Sequence, residues 1–305
     1  MKISRGMALI LATVITGSLF ITGCSATTKT TTASTTAAVA TTAADTTAAA
    51  AETTAASAAE TTAAADDSLA KVKAAGTLIL GLDSAFPPMG FINDKNEIVG
   101  FDIDLAKEVT SRMGIELKLQ PIDWSSNILE LNSGNIDCIW NGFSISEERK
   151  AEVNFTDAYM QNRQVVIVRG DSGINTLADM AGKTLCLQAG SSASDALASN
   201  ADFKASLKEV VELSDNVTAF MELEGKTSDA ILMDEIVAAY YIKQNAKDYK
   251  ILDESLADEQ YGVGFRLADQ SLRDEVNNQL KAMAADGTLA EISNTWFGKD
   301  VTVIK

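Results

Sequence analysis

Three polar groups stand where apolar, strand-like runs give way to helix-like runs. Arg149 follows CIWNGFSISEE at the start of a predicted helix. Ser191 and Ser192 follow Gly190 in QAGSSASDAL, and Asp234 closes the apolar run of ILMDEIVAAYYI. A guanidinium pairs with a carboxylate, a helix N-terminus attracts an anion, and a buried carboxylate pairs with an ammonium. Together these groups would bind a zwitterion, and an α-amino acid is the simplest ligand that fits.

Each of these groups also has a purely structural explanation. A serine after Gly190 is an ordinary helix N-cap, and so is Asp234. A surface position is the usual one for an arginine. Arg149 is nevertheless unusual, because the helix dipole favours acids such as Glu147 and Glu148 in a first turn. The residues alone leave both explanations open.

Composition excludes several classes of function. The chain has 305 residues, a net charge of −17 and no histidine. Such an acidic chain is a poor partner for nucleic acid or anionic lipid. Without histidine, a Ser-His-Asp triad and a histidine-ligated metal are impossible. Cys24, Cys138 and Cys186 lack metal-binding spacing, and the last two lie in apolar runs that predict buried free thiols rather than a disulfide. We therefore expect no metal and no cofactor.

The N-terminal residues predict export and lipid anchoring. Lys2 and Arg5 precede a short apolar stretch that ends at Cys24, which is the order found in an export signal. The stretch is short for a membrane span and is interrupted by small polar residues. The ITGC ending resembles the lipobox of bacterial lipoproteins, in which cleavage precedes the cysteine and the cysteine is lipidated. We expect a signal peptide over residues 1–23 and a lipid anchor at Cys24, with an ordinary signal peptide as the alternative.

Residues 24–68 predict a disordered Thr/Ala-rich linker behind this anchor. The segment contains no aromatic residue, and its one branched aliphatic residue is Val39. Such a composition cannot bury enough apolar surface to offset the entropy lost on ordering. The segment is therefore expected to tether the folded part and to carry no chemistry.

From about residue 69 onward, strand-like and helix-like runs alternate in two units. The four-residue spacing of Phe101, Leu105 and Val109, for example, predicts an amphipathic helix. The predicted strands are residues 78–82, 115–122, 135–140, 184–187, 210–213 and 230–233, and the predicted helices are residues 100–114, 127–134, 192–199, 217–223, 269–287 and 288–298. This alternation predicts an α/β fold with parallel pairing.

The two units resemble each other at the ends of their strands. ELNSGNIDCIWN and ELEGKTSDAILMD each run from a helix end through a turn into an apolar strand. Asn141 and Asp234 stand just beyond those strands. Because ligands bind beyond the carboxyl ends of strands in open α/β sheets, we expect two lobes that face one cleft. Phe86 and Trp124 follow strands as well, and we expect them to enclose a ligand side chain unless they pack beneath their own loops.

Six segments resemble, in order, the bacterial extracellular solute-binding proteins of family 3, which serve ABC transporters for polar amino acids. They are LDSAFPPMGFINDKNEIVGFDIDLAKEV, IWNGFSISEERKAEVNFTDAYM, LCLQAGSSA, ILMDEIVAAYYI, YGVGFRLAD and MAADGTLAEISNTWFG. The resemblance implies a two-lobe type II periplasmic-binding-protein fold, with two hinge crossovers near residues 164–168 and 258–264. Lobe 1 would comprise residues 69–164 and 262–305, and lobe 2 residues 165–261.

The resemblance also implies twelve ligand-binding positions, which are Asp83, Phe86, Trp124, Asn141, Gly142, Ser144, Arg149, Gln188, Gly190, Ser191, Ser192 and Asp234. Arg149 would bind the ligand carboxylate with the loop that begins at Gly190, and Asp234 would bind the ammonium. Ser144 would bind either group, and Gly142 would offer a carbonyl. Phe86 would stack on the ligand side chain, Trp124 would form a second aromatic wall, and Asp83 would lie near the side chain.

Two departures from the family pattern leave the ligand open. Asn141 stands where relatives often have Ser or Ala, and Gln188 stands where some glutamine binders have Lys. The resemblance implies an extracytoplasmic protein, here with the expected lipid anchor at Cys24, that is not an enzyme and delivers a polar amino acid to an ABC permease and its ATPase. Asn141 and Gln188 favour a polar neutral side chain and Asp83 a cationic or amide one, so we expect a glutamine- or cystine-like ligand. A sensor subunit and a cyclohexadienyl dehydratase-like lyase on the same fold are the alternatives.

Overall fold

The computed structural model describes residues 66–245 and 247–304. Cys24, the predicted signal peptide and nearly all of the predicted linker lie outside the described residues, so those assignments stay predictions. Ser68, the last residue of the predicted linker, begins the first helix, and its Oγ lies 3.0 Å from Ser271 Oγ. Within the described part of the chain, no helix combines the length and the apolar character needed to cross a bilayer.

The helices are α1 (Ser68–Ala75), α2 (Phe101–Met113), α3 (Asn127–Asn132), α4 (Glu147–Lys150), α5 (Ser192–Ser199), α6 (Ala201–Ser206), α7 (Asn216–Gly225), α8 (Glu235–Asn245), α9 (Gln270–Asp286) and α10 (Thr288–Phe297). The strands are β1 (Thr77–Leu82), β2 (Ala85–Phe86), β3 (Gly90–Ile92), β4 (Ile98–Val99), β5 (Glu116–Pro121), β6 (Cys138–Ile139), β7 (Val153–Phe155), β8 (Met160–Arg169), β9 (Thr184–Gln188), β10 (Glu209–Leu213), β11 (Ala230–Asp234), β12 (Tyr249–Tyr261) and β13 (Gly264–Arg266).

Two five-stranded sheets form the two lobes. The sheet of the first lobe has the order β5-β1-β6-β13-β7, and the sheet of the second lobe has the order β10-β9-β11-β8-β12. In each sheet the strands of the predicted units pair in parallel: β1 with β5 and β6, and β9 with β10 and β11. The prediction of a two-lobe α/β fold is therefore confirmed. The antiparallel partners β7, β8, β12 and β13 were not predicted as strands.

The chain crosses between the sheets twice. It leaves the first sheet at Phe155 and enters the second at Met160, and it returns between Tyr261 and Gly264. The strands next to these crossings, β8 and β12, form a long antiparallel ribbon. The second crossing falls within the implied crossover near residues 258–264, whereas the first precedes the implied crossover near residues 164–168, which lies inside β8. The lobe boundaries stay predictions. The short connections bring the carboxyl ends of the parallel strands of both lobes to one cleft.

The core confirms the periodicity that predicted the long helices. Phe101, Leu105 and Val109 of α2 are buried, and α9 buries Leu272, Val276, Leu280 and Met283. One strand is shorter than predicted, because β6 spans only Cys138–Ile139 before the chain turns away at Asn141. The prediction of buried free thiols is confirmed for Cys138 and Cys186, and burial raises the pKa of both. These thiols act as small core side chains.

Candidate functional site

A small cavity lies at the carboxyl ends of β1, β6, β9 and β11. Ten of the twelve predicted site residues line it: Asp83, Phe86, Trp124, Asn141, Gly142, Arg149, Gln188, Ser191, Ser192 and Asp234. The other two contact these lining residues. Ser144 Oγ is 3.0 Å from Ser192 Oγ, and the Gly190 carbonyl lies 3.5 Å from Arg149 Nη2. The structure therefore brings the whole predicted set together.

Arg149 forms the basic side of this cavity, together with the loop from Gly190 to Ser192. Its guanidinium donates from Nη1 to the Ser144 carbonyl at 3.1 Å and lies 4.7 Å above the Phe143 ring. Among the described residues, the nearest carboxylate oxygen belongs to Asp195, at 3.7 Å. Burial lowers the pKa of Arg149, and the negative charge of Asp195 opposes that shift. A guanidinium has five N–H donors, so these few contacts leave it able to bind a carboxylate.

The position of Arg149 in its helix has a simple explanation. Helix α4 has one turn, so Arg149 belongs to its last turn as well as its first. So short a helix has little dipole for a cation to oppose. Ser146 caps the helix by accepting from Arg149 N at 3.2 Å, and the cap directs the chain back toward the cavity.

The Gly190 loop differs from an ordinary N-cap. Ser191 precedes α5, but its side chain does not cap the helix; its Oγ donates to the Gln188 carbonyl at 2.7 Å. The first N–H groups of α5 therefore begin at the cavity lining without a capping oxygen from Ser191. Gly190 has φ +68°, and a Cβ there would lie 2.8 Å from Ser125 Cα, so only glycine allows this close approach between the lobes. The loop is suited to an anion.

Asp234 forms the acidic side of the cavity. Its Oδ1 accepts three hydrogen bonds, from Asn162 Nδ2 at 2.6 Å, Gln164 Nε2 at 3.0 Å and Tyr261 Oη at 2.7 Å. Burial, followed by the negative charge of Glu259, raises the pKa of Asp234 to about 7. An ammonium beside this carboxylate would favour its charged form. The three donors orient one oxygen and leave the second for a ligand.

Asp83, Asn141 and Gln188 meet at a third part of the lining. Gln188 Nε2 donates to Asp83 Oδ2 at 2.7 Å, which joins the two lobes directly. Asn141 Oδ1 accepts from Asp83 N at 3.1 Å, and Asn216 Nδ2 donates to Gln188 Oε1 at 3.0 Å. Asn141 Nδ2 is buried and has no hydrogen-bond partner among the described residues. It lies beside Gly90, where a Cβ would be 2.5 Å from it.

The two predicted aromatic walls both line the cavity and both pack against neighbours. Trp124 is 7% exposed, and its ring meets Phe143 edge to face with centroids 5.8 Å apart. Phe86 is 6% exposed and lies beside Gly142, where a Cβ would be 2.9 Å from Phe86 Cε1. Each ring therefore serves the packing of its loop and also presents apolar surface to the cavity.

The sequence analysis missed four polar residues of the ribbon: Asn162 and Gln164 in β8, and Glu259 and Tyr261 in β12. They alternate along their strands, so each pair points to one face of the ribbon. Asn162 and Gln164 are buried, but they stand in the polar run QNRQ near the start of β8, so nothing in the sequence distinguished them from solvated residues. Glu259 carried no signal either, because a charged residue near the edge of a sheet is usually solvated.

A fifth missed residue supports the cavity from behind. Asp102, at the start of α2, is fully buried and accepts from Gly142 N at 2.6 Å and from Tyr159 Oη at 3.0 Å. Burial raises the pKa of Asp102 to about 7. The Gly142 backbone has φ +59°, which glycine adopts without strain, and this bond helps to hold that turn of the cavity wall in place.

No group of three or more potential ligand side chains able to hold a metal occurs in the described part of the chain. The polar groups of the cavity are a guanidinium, carboxylates, amides, hydroxyls and backbone groups. Their arrangement suits noncovalent binding of a small polar molecule with charges of both signs.

Comparisons with known proteins agree with this geometry. The family model for bacterial extracellular solute-binding proteins, family 3, matches residues 78–299. The L-cystine-binding protein TcyJ of Escherichia coli (strain K12) is 31% identical over 236 residues, which are 77% of this chain and 87% of that protein. The arginine-binding extracellular protein ArtP of Bacillus subtilis (strain 168) is 32% identical over 225 residues, which are 72% of this chain and 86% of that protein.

A solved structure shares the fold as well. It is an ABC uptake transporter substrate-binding protein from Streptococcus pneumoniae with bound histidine. It is 37% identical and superposes with a TM-score of 0.77, over 79% of this chain and all of the other. The similarity therefore extends over both lobes.

Proposed function

The chain belongs to the bacterial extracellular solute-binding proteins, family 3, and on that basis we propose that it binds a polar amino acid between its lobes and delivers it to an ABC permease and its ATPase. The observation that carries this proposal is the lining of one cavity by Arg149 and Asp234, both buried. The protein leaves N–H donors of the Arg149 guanidinium and one carboxylate oxygen of Asp234 for a ligand. An α-amino acid supplies a carboxylate for the first and an ammonium for the second.

Lobe closure is the proposed mechanism. Arg149 belongs to the first lobe, and Asp234 closes β11 of the second. A ligand that contacts both therefore interacts more strongly with the closed arrangement of the lobes than with an open one. That difference in contacts shifts the population toward the closed state. The closed state would then be the one that the permease receives.

We favour a neutral polar ligand, glutamine- or cystine-like. A free Asp83 carboxylate would suit a cationic side chain. Both its oxygens already accept hydrogen bonds, Oδ1 from Ala85 N at 2.8 Å and Oδ2 from Gln188 at 2.7 Å. Asn141, which also lines the cavity and accepts from Asp83 N, adds a neutral amide to this part of the lining. Relatives named for cystine and glutamine support this choice, while others named for arginine and histidine leave cationic ligands as competitors.

We further propose that the protein acts outside the cytoplasm and is held at the membrane by lipid on Cys24. The basis is the sequence of the first residues, which lie outside the described part of the chain. A Cys24→Ala variant would then be released into the soluble fraction of its host, whereas the wild type would sediment with membranes. Equal distribution of the two proteins would contradict the anchor.

Calorimetric titration tests the binding function. The protein is freed of co-purified ligand by unfolding and refolding, then titrated with the twenty amino acids, cystine and ornithine. Tight binding of one or a few of them is expected. Absence of heat with all of them would reject the zwitterion site.

A further inference from the structure

A second carboxylate, Glu259 of β12, lies behind the acidic side of the cavity and contacts Ser192, which lines it. Starting from the proposed function, we propose that Glu259 is a positioning residue that turns the Ser144 and Ser192 hydroxyls into acceptors for the ligand's α-ammonium. It thereby sets the preference of the site for ligands that carry a free α-amino group.

The hydroxyl groups of Ser144 and Ser192 both donate toward Glu259. Glu259 Oε2 accepts from Ser144 Oγ at 2.8 Å and from Ser192 Oγ at 3.2 Å. The two hydroxyl oxygens are 3.0 Å apart. A serine has one hydroxyl proton, and a carboxylate is its strongest acceptor here. Either proton that is not donated to Glu259 is donated to the other serine, so neither is left for the ligand, and lone pairs remain on the hydroxyl oxygens.

The buried amides of Asn162 and Gln164 lie between Asp234 and Glu259. Asn162 Nδ2 and Gln164 Nε2 each donate to Asp234 Oδ1, and they also lie 3.1 Å and 2.9 Å from Glu259 Oε2. The NH₂ groups must face the two acids, because amide oxygens in their place would repel both carboxylates. The amides therefore hold Asp234 and Glu259 close together as a pair of acids.

The paired acids concentrate negative charge on one side of the cavity. Like charges at close range disfavour each other's ionised form, and a cation near both relieves that repulsion. The groups that face Asp234 are Glu259 and Tyr261 from β12, the two amides from β8, and the more distant Arg149. A ligand ammonium is the group that would satisfy both carboxylates and the serine lone pairs.

The orientation of the hydroxyls settles a choice that the sequence left open. From the sequence, Ser144 could bind either the ammonium or the carboxylate of the ligand. With its proton donated to Glu259, it accepts from the ammonium, and the carboxylate is left to Arg149 and the N-terminus of α5. Glu259 reaches the ligand through the serines and need not touch it.

The test compares Glu259→Gln and Glu259→Ala with Asp258→Asn. Asp258 is the adjacent acid, and its side chain is exposed. The control therefore removes the same charge one residue away without touching the serines. Glu259 is half-buried on β12, which is the edge strand of its sheet, so both test variants are expected to fold. Thermal unfolding checks that each variant folds.

The probes are L-glutamine, L-cystine, L-arginine and L-histidine. The one that the wild type binds most tightly is paired with the same compound lacking its α-amino group. The dissociation constant of the compound without the amino group, divided by that of the amino acid, measures the preference for the amino group. We expect Glu259→Gln to lower this ratio about tenfold and Glu259→Ala at least as much, through weaker binding of the amino acid alone. Asp258→Asn should stay within about twofold of the wild type.

Two outcomes would overturn the inference. One is an unchanged ratio in both Glu259 variants. The other is an equal loss of affinity for both compounds, which would mean that Glu259 only supports the scaffold. A wild type that binds another amino acid of the calorimetric panel instead is tested with that amino acid and the same compound lacking its α-amino group. If the wild type binds none of the panel, the proposed function fails and this inference falls with it, whereas binding that the Glu259 variants leave unchanged overturns this inference alone.

Discussion

The two charged sides of the cavity are built differently. On the basic side, Arg149 makes only weak interactions with the protein: it contacts two backbone carbonyls, an aromatic ring and, at 3.7 Å, Asp195. On the acidic side, Asp234 Oδ1 alone accepts three side-chain hydrogen bonds, and Glu259 lies next to it. The cation is thus left with donors to spare, whereas the anions are fixed in direction.

The difference follows from the chemistry of the two groups. A guanidinium spreads five donors over a rigid plane, so a few contacts orient it and still leave a face for a ligand. A buried carboxylate has no such excess and needs strong donors to remain ionised. The acidic side is therefore preorganised by the protein, while the basic side is completed by the ligand.

Removal of the cation should have the largest effect. Arg149→Ala leaves the ligand carboxylate buried without its charged partner, which costs about 3–5 kcal/mol. We expect the dissociation constant to rise at least about a hundredfold in calorimetry. Lys150→Ala is the matched control, because Lys150 is the next residue of α4 and is exposed. An unchanged dissociation constant for Arg149→Ala would refute the assignment of the basic side.

Removal of the acid should have the next largest effect. Asp234→Asn deprives the ammonium of a charged hydrogen bond, worth about 1.5–3 kcal/mol. We expect affinity to fall about ten- to a hundredfold for an amino acid and much less for the same compound without its α-amino group. Glu235→Gln is the control, because that side chain pairs with Arg163. Equal losses for the two compounds would show that Asp234 does not face the ammonium.

Of the two charged sides of the cavity, the acidic one should titrate near neutral pH. Burial and the charge of Glu259 raise the pKa of Asp234 to about 7. The ammonium needs the ionised carboxylate, so affinity should decrease as pH falls below about 7, by up to about tenfold per pH unit. Above that pH it should be nearly constant. The Asp234→Asn variant is expected to lose most of this slope, and an unchanged slope in that variant would assign the titration elsewhere, for example to Asp102 behind Gly142.

The smallest effect is expected where the lobes touch beside the ligand side chain. Gln188→Ala removes the amide that occupies Asp83 Oδ2. One lost hydrogen bond costs about 1 kcal/mol, so affinity for a neutral amino acid should fall about fivefold. The freed carboxylate should at the same time improve binding of L-arginine relative to L-glutamine. Gln260→Ala, an exposed position on β12, is the control. An unchanged ratio of the L-arginine and L-glutamine dissociation constants would show that Asp83 does not determine which ligand is preferred.

Much of the fold was predictable because its signals are local. The helices α2 and α9 follow from apolar spacing and from the glycines that end them, Gly114 and Gly287. The parallel strands follow from short apolar runs between those helices. The ribbon of β8 and β12 was not predictable in this way, because it depends on pairing between distant residues such as Gln164 and Ala257. Its alternating polar residues gain meaning only once the strands pair.

The sequence by itself determined the types of group available for binding and the turns that carry them. Arg149, Asp234 and the Gly190 loop each stand at a strand or helix end, a local property of the chain. Only the tertiary structure decided their use. It placed Glu259 behind two serines from different lobes, saturated one oxygen of Asp234 and left Arg149 with spare donors. Hydrogen-bond direction and desolvation depend on neighbours far along the chain, and folding alone brings those neighbours together.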